Sequence, residues 1–468
     1  MDIPRREFIR RLLYSNRADA RGSDAAAGET VDLQHRPSVT DGPHGTRWCC
    51  ALIAVVLANA AGLRDLQPKD ITFDDLPAAL AARFHRESFS ELVRRINHET
   101  ARRERDGEFD HLIAYALQSK QFTSEPKIEP ALSAKAFAQT GKIPEEVRRR
   151  LNQFLRAVAK PGANPRLLYF AQLVPARDRN VEFIAAEYCR TMRFLYEKEF
   201  LGQDRAYETR GHSTDTQVAA NYAVWNALGV LKATAPQTRI RRVLIIGPGL
   251  DFAPRTDFVD AVPAQSFQPY LTADALLTLG LSAVRDLDIE CVDINERPIR
   301  FINSFPSGPR LLYLYSEPGT QEYNRYFEAN GTAIGTVIRD AGAIRLPAPL
   351  LSRTIAVDSA IAGAVHGQEM NIVTQRLGRT YDLVIATNVL LYFAPTELVF
   401  ALNNIAAMLG PGGCFIHNDL RPEIEAEAEQ LGLRAVQART VLVAQGQRAP
   451  LYDTFALYQK HQVSEIRR

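Results

Sequence analysis

The chain has 468 residues, of which 46% are hydrophobic and 24% are charged, a balance typical of folded globular proteins. This length predicts two or three domains and excludes a single small module. Lysine and arginine together number 56, against 54 aspartate and glutamate residues, so the net charge of +2 does not indicate a nucleic-acid partner. The five cysteines form no C-x-x-C motif, so we predict neither a metal site nor a dithiol redox centre.

Residues 1–62 predict either a disordered segment or an export-signal-like segment. Residues 1–40 show no sustained apolar period, although residues 5–10 resemble a twin-arginine signal. Residues 48–62 form an apolar run that is shorter than the roughly 20 residues that span a bilayer, so no permanent membrane span is expected. The run is either a core helix of a cytoplasmic protein or the core of a signal sequence of an exported or periplasmic one.

A helical domain is predicted for residues 63–205. Apolar side chains recur at spacings of three and four residues between Leu76 and Ile96, which is the pattern of one buried helix face. The same pattern continues in residues 145–158 and 183–200.

From residue 206 to the end, the pattern predicts an α/β fold with a doubly wound parallel sheet, because short apolar runs alternate with helical segments. The predicted strands are residues 243–246, 289–293, 382–387 and 414–417. The predicted helices between them include residues 270–281 and 398–409. Two alternating runs, 435–443 and 451–458, predict a terminal antiparallel hairpin.

A glycine turn follows the first predicted strand, and a carboxylate ends the second. Gly247 and Gly249 form the turn, and Asp293 is the carboxylate. In an open parallel sheet, ligands bind beyond the carboxyl ends of the strands, where glycine lets the backbone approach closely. A carboxylate there can accept hydrogen bonds from both ribose hydroxyls. The pair therefore predicts a nucleoside-bearing ligand.

The C-terminal part resembles the class I S-adenosylmethionine-dependent methyltransferases, a family with a Rossmann-like sheet. The resemblance rests on residues 243–249, 290–295 and 381–393, followed by a helix and the turn Gly-Pro-Gly-Gly at 410–413. It covers about residues 206–468. It implies that S-adenosylmethionine is the cofactor and that a methyl group passes to an acceptor, either a small molecule or a protein. No oligomeric state is predicted.

Position by position, the resemblance also implies which residues contact the cofactor. Gly247 and Gly249 would line the methionine and ribose of the cofactor, and Asp293 would bind the ribose hydroxyls. Glu369 and Met370 would lie near the adenine amino group. Asn388 and Val389 would lie beside the sulfonium and the acceptor. The chain departs from the family before the glycine turn, where Ile245 and Ile246 stand in place of an acidic residue that binds the cofactor's amino group. Asp251 is a candidate substitute for that acid.

Three residues are candidates for acid–base chemistry or acceptor orientation: His212, Tyr392 and His417. The near-neutral pKa of a histidine side chain suits a general base, and the two histidines compete for that role. Tyr392 either orients the acceptor or packs in the core.

Two segments near these candidates allow a plainer interpretation. In the polar run 209–216, Thr214 or Asp215 would cap a helix predicted at residues 217–231. The connection 250–268 is long for a strand-to-helix loop, so it either recognises the acceptor or covers the sheet.

Our first hypothesis is a methyltransferase whose helical domain recognises the acceptor or acts as a lid. A non-catalytic binding protein with the same fold is the alternative, favoured by the missing acid before Gly247 and by the export-like segment. A nucleotide-dependent oxidoreductase is disfavoured, because the Pro-Gly-Gly turn and the terminal hairpin fit methyltransferases better.

Overall fold

The chain is mainly helical up to residue 234. After residue 234, strands and helices alternate. The computed structural model describes residues 67–174, 176–201, 207–208, 210–213, 216–251, 262, 264–304, 310–339, 349–445 and 450–461. All of them belong to one compact unit, Ala60–Arg468. The two export-like features, residues 5–10 and 48–62, lie outside the described residues, as does most of the connection 250–268.

Several helices of the first half begin at a proline or at an asparagine cap. The helices of this half are α1 (Ala78–Ala81), α2 (Arg86–Gln118), α3 (Pro130–Thr140), α4 (Glu145–Ala159), α5 (Pro165–Leu173), α6 (Val181–Tyr196) and α7 (Ala220–Thr234). The Asn164 side chain accepts hydrogen bonds from two backbone amides at the start of α5, and Asn180 accepts one at the start of α6. Such caps satisfy amides that lack an intrahelical partner.

In the second half, helices alternate with strands. These helices are α8 (Gln268–Thr278), α9 (Glu296–Asn303), α10 (Gln321–Ala329), α11 (Ser359–Gly363), α12 (Pro395–Met408) and α13 (Pro422–Gln430). The strands, numbered over the whole chain, are β1 (Lys69–Asp70), β2 (Arg242–Ile246), β3 (Asp288–Asp293), β4 (Arg310–Ser316), β5 (Gly335–Ile338), β6 (Leu351–Val357), β7 (Val365–Glu369), β8 (Gln375–Arg376), β9 (Tyr381–Ala386), β10 (Leu409–His417), β11 (Leu433–Ala444) and β12 (Leu451–Lys460).

A seven-stranded mixed sheet organises the second half, with the order β11-β12-β10-β9-β2-β3-β7. The five strands from β10 to β7 run parallel, whereas β12 pairs antiparallel with both β10 and β11. The chain leaves β2 outward through β3 and β7, and it returns on the other side of β2 as β9. The strand order therefore reverses between β2 and β9, which is where open α/β sheets bind ligands.

Both faces of this sheet are covered, which confirms the predicted α/β class. Val243 and Ile245 of β2 face one core, together with α7 and α8. Leu244 and Ile246 face a second core on the opposite side, together with α12 and the first half of α2. Parallel strands buried on both faces need continuous apolar runs, as β2 has.

The long helix α2 joins the sheet to a separate helical cluster. In its first half, Phe89, Val93 and Ile96 pack in the core that covers the sheet. In its second half, Leu112 and Ile113 pack with helices α3 to α6 in a third core. One rigid helix thus fixes the position of the helical cluster relative to the strands. Among the described helices, none combines the length and the hydropathy of a membrane-spanning segment.

Several boundaries and elements differ from the sequence predictions. Helix α7 begins at Ala220, three residues later than predicted, with Ala219 at its cap position, while Thr214 and Asp215 lie outside the described residues. Strand β7 was not predicted, because its Val-His-Gly-Gln-Glu sequence lacks an apolar run. A separate sheet of order β4-β6-β5 was also not predicted; it is antiparallel and follows α9 in the chain.

Replacing Gly107 of α2 with alanine is expected to destabilise the fold. An added Cβ would overlap the backbone carbonyl of His212, whose amide donates to the carbonyl oxygen of Arg103 at 2.8 Å. Overpacking of this kind costs about 1–3 kcal/mol. In an unobstructed helix the same change stabilises by about 1 kcal/mol.

Gly229 of α7 provides the matched control, because its added Cβ meets no atom of the described chain within 4 Å. Urea unfolding should therefore show a lower free energy of unfolding for Gly107→Ala than for the wild type. For Gly229→Ala, the free energy of unfolding should be higher or unchanged. Equal changes in the two variants would contradict the close approach of residues 107 and 212.

Candidate functional site

A cleft lies at the carboxyl ends of β2, β3 and β9, where the strand order reverses. The residues at the ends of these three strands line the cleft, as do the residues that follow β7. Side chains from α2 and from residues 212–216 complete the lining. Its lining includes Glu104, His212, Ser213, Thr216, Ile246, Gly247, Gly249, Asp293, Ile294, Asn295, Met370, Asn371, Ile372, Thr387, Asn388, Val389, Tyr392 and Phe393.

The glycine turn after β2 brings backbone close to the opposite wall of the cleft. Gly247 and Gly249 both have a φ of 66°, a left-handed conformation that glycine adopts without strain. A Cβ at Gly247 would lie 2.6 Å from Cγ2 of Val389. The Gly247 amide donates to the carbonyl of Val292 at 2.8 Å, which anchors the turn on β3. The turn therefore needs glycine for both its conformation and its space.

The carboxylate at the end of β3 is buried and held in place. Asp293 is 8% exposed, and its Oδ1 accepts a hydrogen bond from the backbone amide of Asn295 at 2.9 Å. Asn295 is fully buried and caps α9 by accepting from the Arg297 amide at 2.9 Å. These hydrogen bonds fix the orientation of the Asp293 carboxylate at the cleft wall.

Asn388, two residues after the end of β9, has a strained backbone and a fixed side chain. Asn388 has a φ of 58° and is the one non-glycine residue with positive φ within the described ranges. Its amide donates to Oδ1 of Asn418 at 2.7 Å, and its own Oδ1 accepts from Nδ2 of Asn418 at 2.8 Å. Backbone strain of this kind costs of order 1–3 kcal/mol and is found at sites where surroundings over-determine a residue.

A buried arginine of α2 joins the cleft walls. Arg103 is 2% exposed and donates to the carbonyls of Arg210 at 2.9 Å, Tyr207 at 3.1 Å and Tyr392 at 2.7 Å. It also lies 3.4 Å from the carboxylate of Glu397. Burial raises the pKa of Glu397 and lowers that of Arg103. The guanidinium therefore fixes the segment before α7 against the loop after β9.

His212 and Tyr392 meet in the part of the cleft that this arginine organises. Their ring centroids are 5.4 Å apart. Burial, with a further contribution from the Arg103 charge, lowers the pKa of His212 to about 3. Burial raises the pKa of Tyr392 to about 12. At neutral pH both rings are uncharged, and a pKa this far from neutrality disfavours the predicted general-base role of His212.

The structure brings eight of the eleven predicted site residues together in the cleft. They are His212, Gly247, Gly249, Asp293, Met370, Asn388, Val389 and Tyr392. Their arrangement follows from the parallel sheet, which aligns the ends of neighbouring strands.

Three predicted residues do not line the cleft. Asp251 is 2% exposed and accepts a hydrogen bond from the hydroxyl of Tyr315, so it stabilises the loop after the glycine turn. Glu369 is exposed at the end of the edge strand β7. His417 is 1% exposed, and its ring stacks on Tyr458 with centroids 5.3 Å apart.

Sequence reasoning missed Glu104, which lines the cleft from α2, and Arg103 beside it. Neither belongs to a recognisable motif, because both lie on a helix whose polar residues resemble an ordinary solvated face. Ser213 and Thr216 belong to the polar run that was singled out, but their place at the cleft depends on the tertiary fold.

Comparison with solved structures gives matches to methyltransferases at low similarity. One is N-methyltransferase NodS from Bradyrhizobium japonicum WM9 in complex with S-adenosyl-L-homocysteine, 13% identical, covering 53% of this chain and 90% of that chain, with a TM-score of 0.26. Another is magnesium protoporphyrin IX methyltransferase ChlM from Synechocystis PCC 6803 with the same ligand, 13% identical, covering 57% and 96%, with a TM-score of 0.27.

A third match is precorrin-6y C5,15-methyltransferase from Geobacter metallireducens GS-15, 9% identical, covering 50% of this chain and 86% of that chain, with a TM-score of 0.25. No family model matches the sequence, and no curated protein matches it.

The buried His417 should make the stability depend on pH. Burial lowers its pKa from 6.5 to about 3, so the folded chain binds this proton less readily than the unfolded chain. Stability is therefore complete above pH 6.5 and decreases as the pH falls toward 3. Between pH 7.5 and pH 5 this group alone lowers the free energy of unfolding by about 2 kcal/mol.

The variant His417→Phe keeps a ring against Phe415 and Tyr458 and removes the titrating group. Urea unfolding of the wild type and the variant at pH 7.5 and pH 5 measures the contribution. We expect the wild type to lose more stability than the variant on acidification. Parallel losses would contradict the assignment.

Proposed function

We propose that the chain is an S-adenosylmethionine-dependent methyltransferase with a Rossmann-like fold over residues 206–468 and a mainly helical region over 63–205, the first part of which packs on the sheet. The observation that carries the proposal is the shared cleft of the Gly247 turn and the buried Asp293 carboxylate, at the point where the strand order reverses. The antiparallel pairing of β12 with β10 supports the proposal, because the sequence resemblance implies an antiparallel strand at the end of the sheet.

The residues of the cleft fit the parts of this cofactor. Asp293 would accept hydrogen bonds from the ribose hydroxyls, since a carboxylate offers two acceptor oxygens. The Gly247 turn would lie against the cofactor without side-chain obstruction. The apolar side chains of Ile294, Met370 and Ile372, which line the same cleft, suit a flat adenine ring.

Glu104 supports the proposal because it offers a carboxylate in place of the acidic residue that the chain lacks before the glycine turn. Ile245 and Ile246 stand where the family has an acid, and both are buried in the cores on either side of the sheet. Within the described lining of the cleft, Glu104 and Asp293 are the two carboxylates. With Asp293 assigned to the ribose, Glu104 would pair with the cofactor's ammonium group, supplied by α2 instead of β2.

When bound, the cofactor supplies a methyl carbon to which the acceptor's lone pair bonds as the carbon–sulfur bond breaks and its electron pair stays on sulfur. The chain's own contribution is positioning. Asn388, fixed by Asn418, and Tyr392, fixed by Arg103, would hold the acceptor beside the methyl group. Alignment of this kind supplies much of the acceleration in bimolecular reactions. A neutral His212 would accept or donate a hydrogen bond without carrying charge into the cleft.

Isothermal titration of the full chain with S-adenosylhomocysteine tests the cofactor site. Asp293→Ala is expected to weaken binding about 10- to 100-fold, because hydrogen bonds to a charged group contribute about 1.5–3 kcal/mol. Glu104→Gln is expected to weaken binding about 10-fold, because the ammonium group loses an ionic partner.

Asp286→Ala, at an exposed carboxylate in the turn before β3, is the matched control and should bind as the wild type does. Asp293→Asn retains an acceptor for the Asn295 amide, so it separates loss of binding from loss of folding. Absence of binding by a folded wild type would favour the non-catalytic alternative, whereas wild-type affinity in both carboxylate variants would contradict the roles given to Asp293 and Glu104.

A further inference from the structure

A second cavity adjoins the cleft on the side of the helical cluster, and we call it the side cavity. It has a volume of about 330 Å³ and shares Ser213, Thr216, Asn388 and Tyr392 with the cleft. Its size falls within the range of about 300–1,000 Å³ that holds small molecules in proteins. The two spaces therefore meet at the residues proposed to hold the methyl acceptor.

One part of the side cavity is apolar. Ala114 of α2, Pro130 of α3, and Met192 and Leu195 of α6 form this part, with Leu391 from the loop after β9. An apolar wall favours a ligand whose body carries carbon surface, because burying that surface is favourable.

The other part carries charge, and most of it is internally compensated. Arg210 forms an ion pair with Asp110 and lies 3.6 Å from the ring centroid of Phe194. Asp110 also accepts a hydrogen bond from Thr191 at 2.7 Å. This pair therefore contributes little net charge to the cavity.

Lys198 adds a further positive charge. It lies in the π-helical turn Glu197–Leu201 that ends α6, an irregularity frequent at functional sites. Its Nζ is 3.1 Å from Oε1 of Glu199, which lies outside the cavity lining, and 5.7 Å from the ring centroid of Tyr207. Burial acts to lower the pKa of Lys198, but Tyr207 and Glu199 outweigh it and raise the pKa, so the side chain stays protonated.

We infer that the side cavity binds the methyl acceptor, and that the acceptor is a small organic acid whose carboxylate or phosphate contacts Lys198 while its apolar body lies along α2 and α6. Among the described lining residues, Lys198 and Arg210 are cationic at neutral pH and Asp110 is the one carboxylate. Asp110 neutralises Arg210, whereas Glu199, the partner of Lys198, lies outside the lining, so Lys198 is the cation that an anion in the cavity can contact. The inference rests on the proposed function, which places the reacting end of the acceptor at Tyr392 and Asn388.

Ligand-observed saturation-transfer NMR on the full chain, saturated with S-adenosylhomocysteine, tests the inference. The probes are benzoate, its neutral isostere benzamide, and phenyl phosphate, which distinguishes the two anion sources. Benzoate or phenyl phosphate should give at least a fivefold larger signal than benzamide. Lys198→Gln should reduce the anion signal at least fivefold, whereas Lys198→Arg should retain it.

Lys142→Gln, at an exposed lysine after α3, is the matched control and should leave the signal unchanged. Ala114→Phe, which fills the cavity, should abolish the anion signal without changing the charge. Equal signals from benzoate and benzamide, or an unchanged signal in Lys198→Gln and Ala114→Phe, would overturn the inference.

The two proposals fail in different ways. Titration with S-adenosylhomocysteine in the same samples reports on the cleft alone, since Lys198 does not line it. Retained binding of that compound with no anion signal would overturn the acceptor assignment and leave the cofactor site standing. Loss of binding in the wild type would overturn both.

Discussion

The arrangement of the cleft depends on one buried cation, the guanidinium of Arg103. Three backbone carbonyls, from residues 207, 210 and 392, accept its hydrogen bonds, and Glu397 balances its charge. Hydrogen bonds to charged groups contribute about 1.5–3 kcal/mol each, and removal of the cation would leave the buried carbonyl of Tyr392 and the two half-buried carbonyls without this donor. Arg103 therefore links α2, the segment before α7 and the loop after β9.

A second arginine also holds the loop after β9. Arg421, just before α13, donates to the carbonyls of Phe393 at 3.1 Å and Leu390 at 2.5 Å, and Asp419 pairs with it at 2.8 Å. A loop whose carbonyls accept hydrogen bonds from two arginines can hold Asn388 in its strained conformation.

A third arginine, Arg166 of α5, extends the linkage of helices to sheet beyond this loop. It is 2% exposed and donates to the carbonyls of Asp251 at 2.9 Å and Val262 at 3.1 Å, two residues of the connection after β2. The helical cluster is thus bound to the carboxyl ends of the strands by polar contacts at separate places. This makes the helices part of the cleft and of the side cavity rather than an independent neighbour.

Sequence patterns located the central strands well because burial on both faces imposes an apolar run. Strand β2 begins one residue before the predicted strand 243–246 and ends at the same residue. Strand β9 begins and ends one residue before the predicted strand 382–387. The glycine turn and Asp293 were found for the same reason, since they directly follow such runs. The edge strand β7 carries His366 and Gln368 and left no such signal.

The residues that sequence reasoning missed act through tertiary contacts. Glu104 and Lys198 are polar residues on helices, and nothing in their local spacing distinguishes them from solvated side chains. His417 was expected at the site because it ends a strand, but strand position does not determine which face a side chain occupies. Its ring packs against Phe415 and Tyr458 in the core on one face of the sheet instead.

Hydrogen–deuterium exchange with and without S-adenosylhomocysteine tests the central claim that one cofactor cleft is shared by the strand ends and α2. The account predicts slower exchange in residues 246–250, 293–296 and 387–393, and also in 103–107 and 210–213, which Arg103 connects to the loop. Protection confined to α3 to α6, or no change in exchange at a saturating concentration, would contradict it.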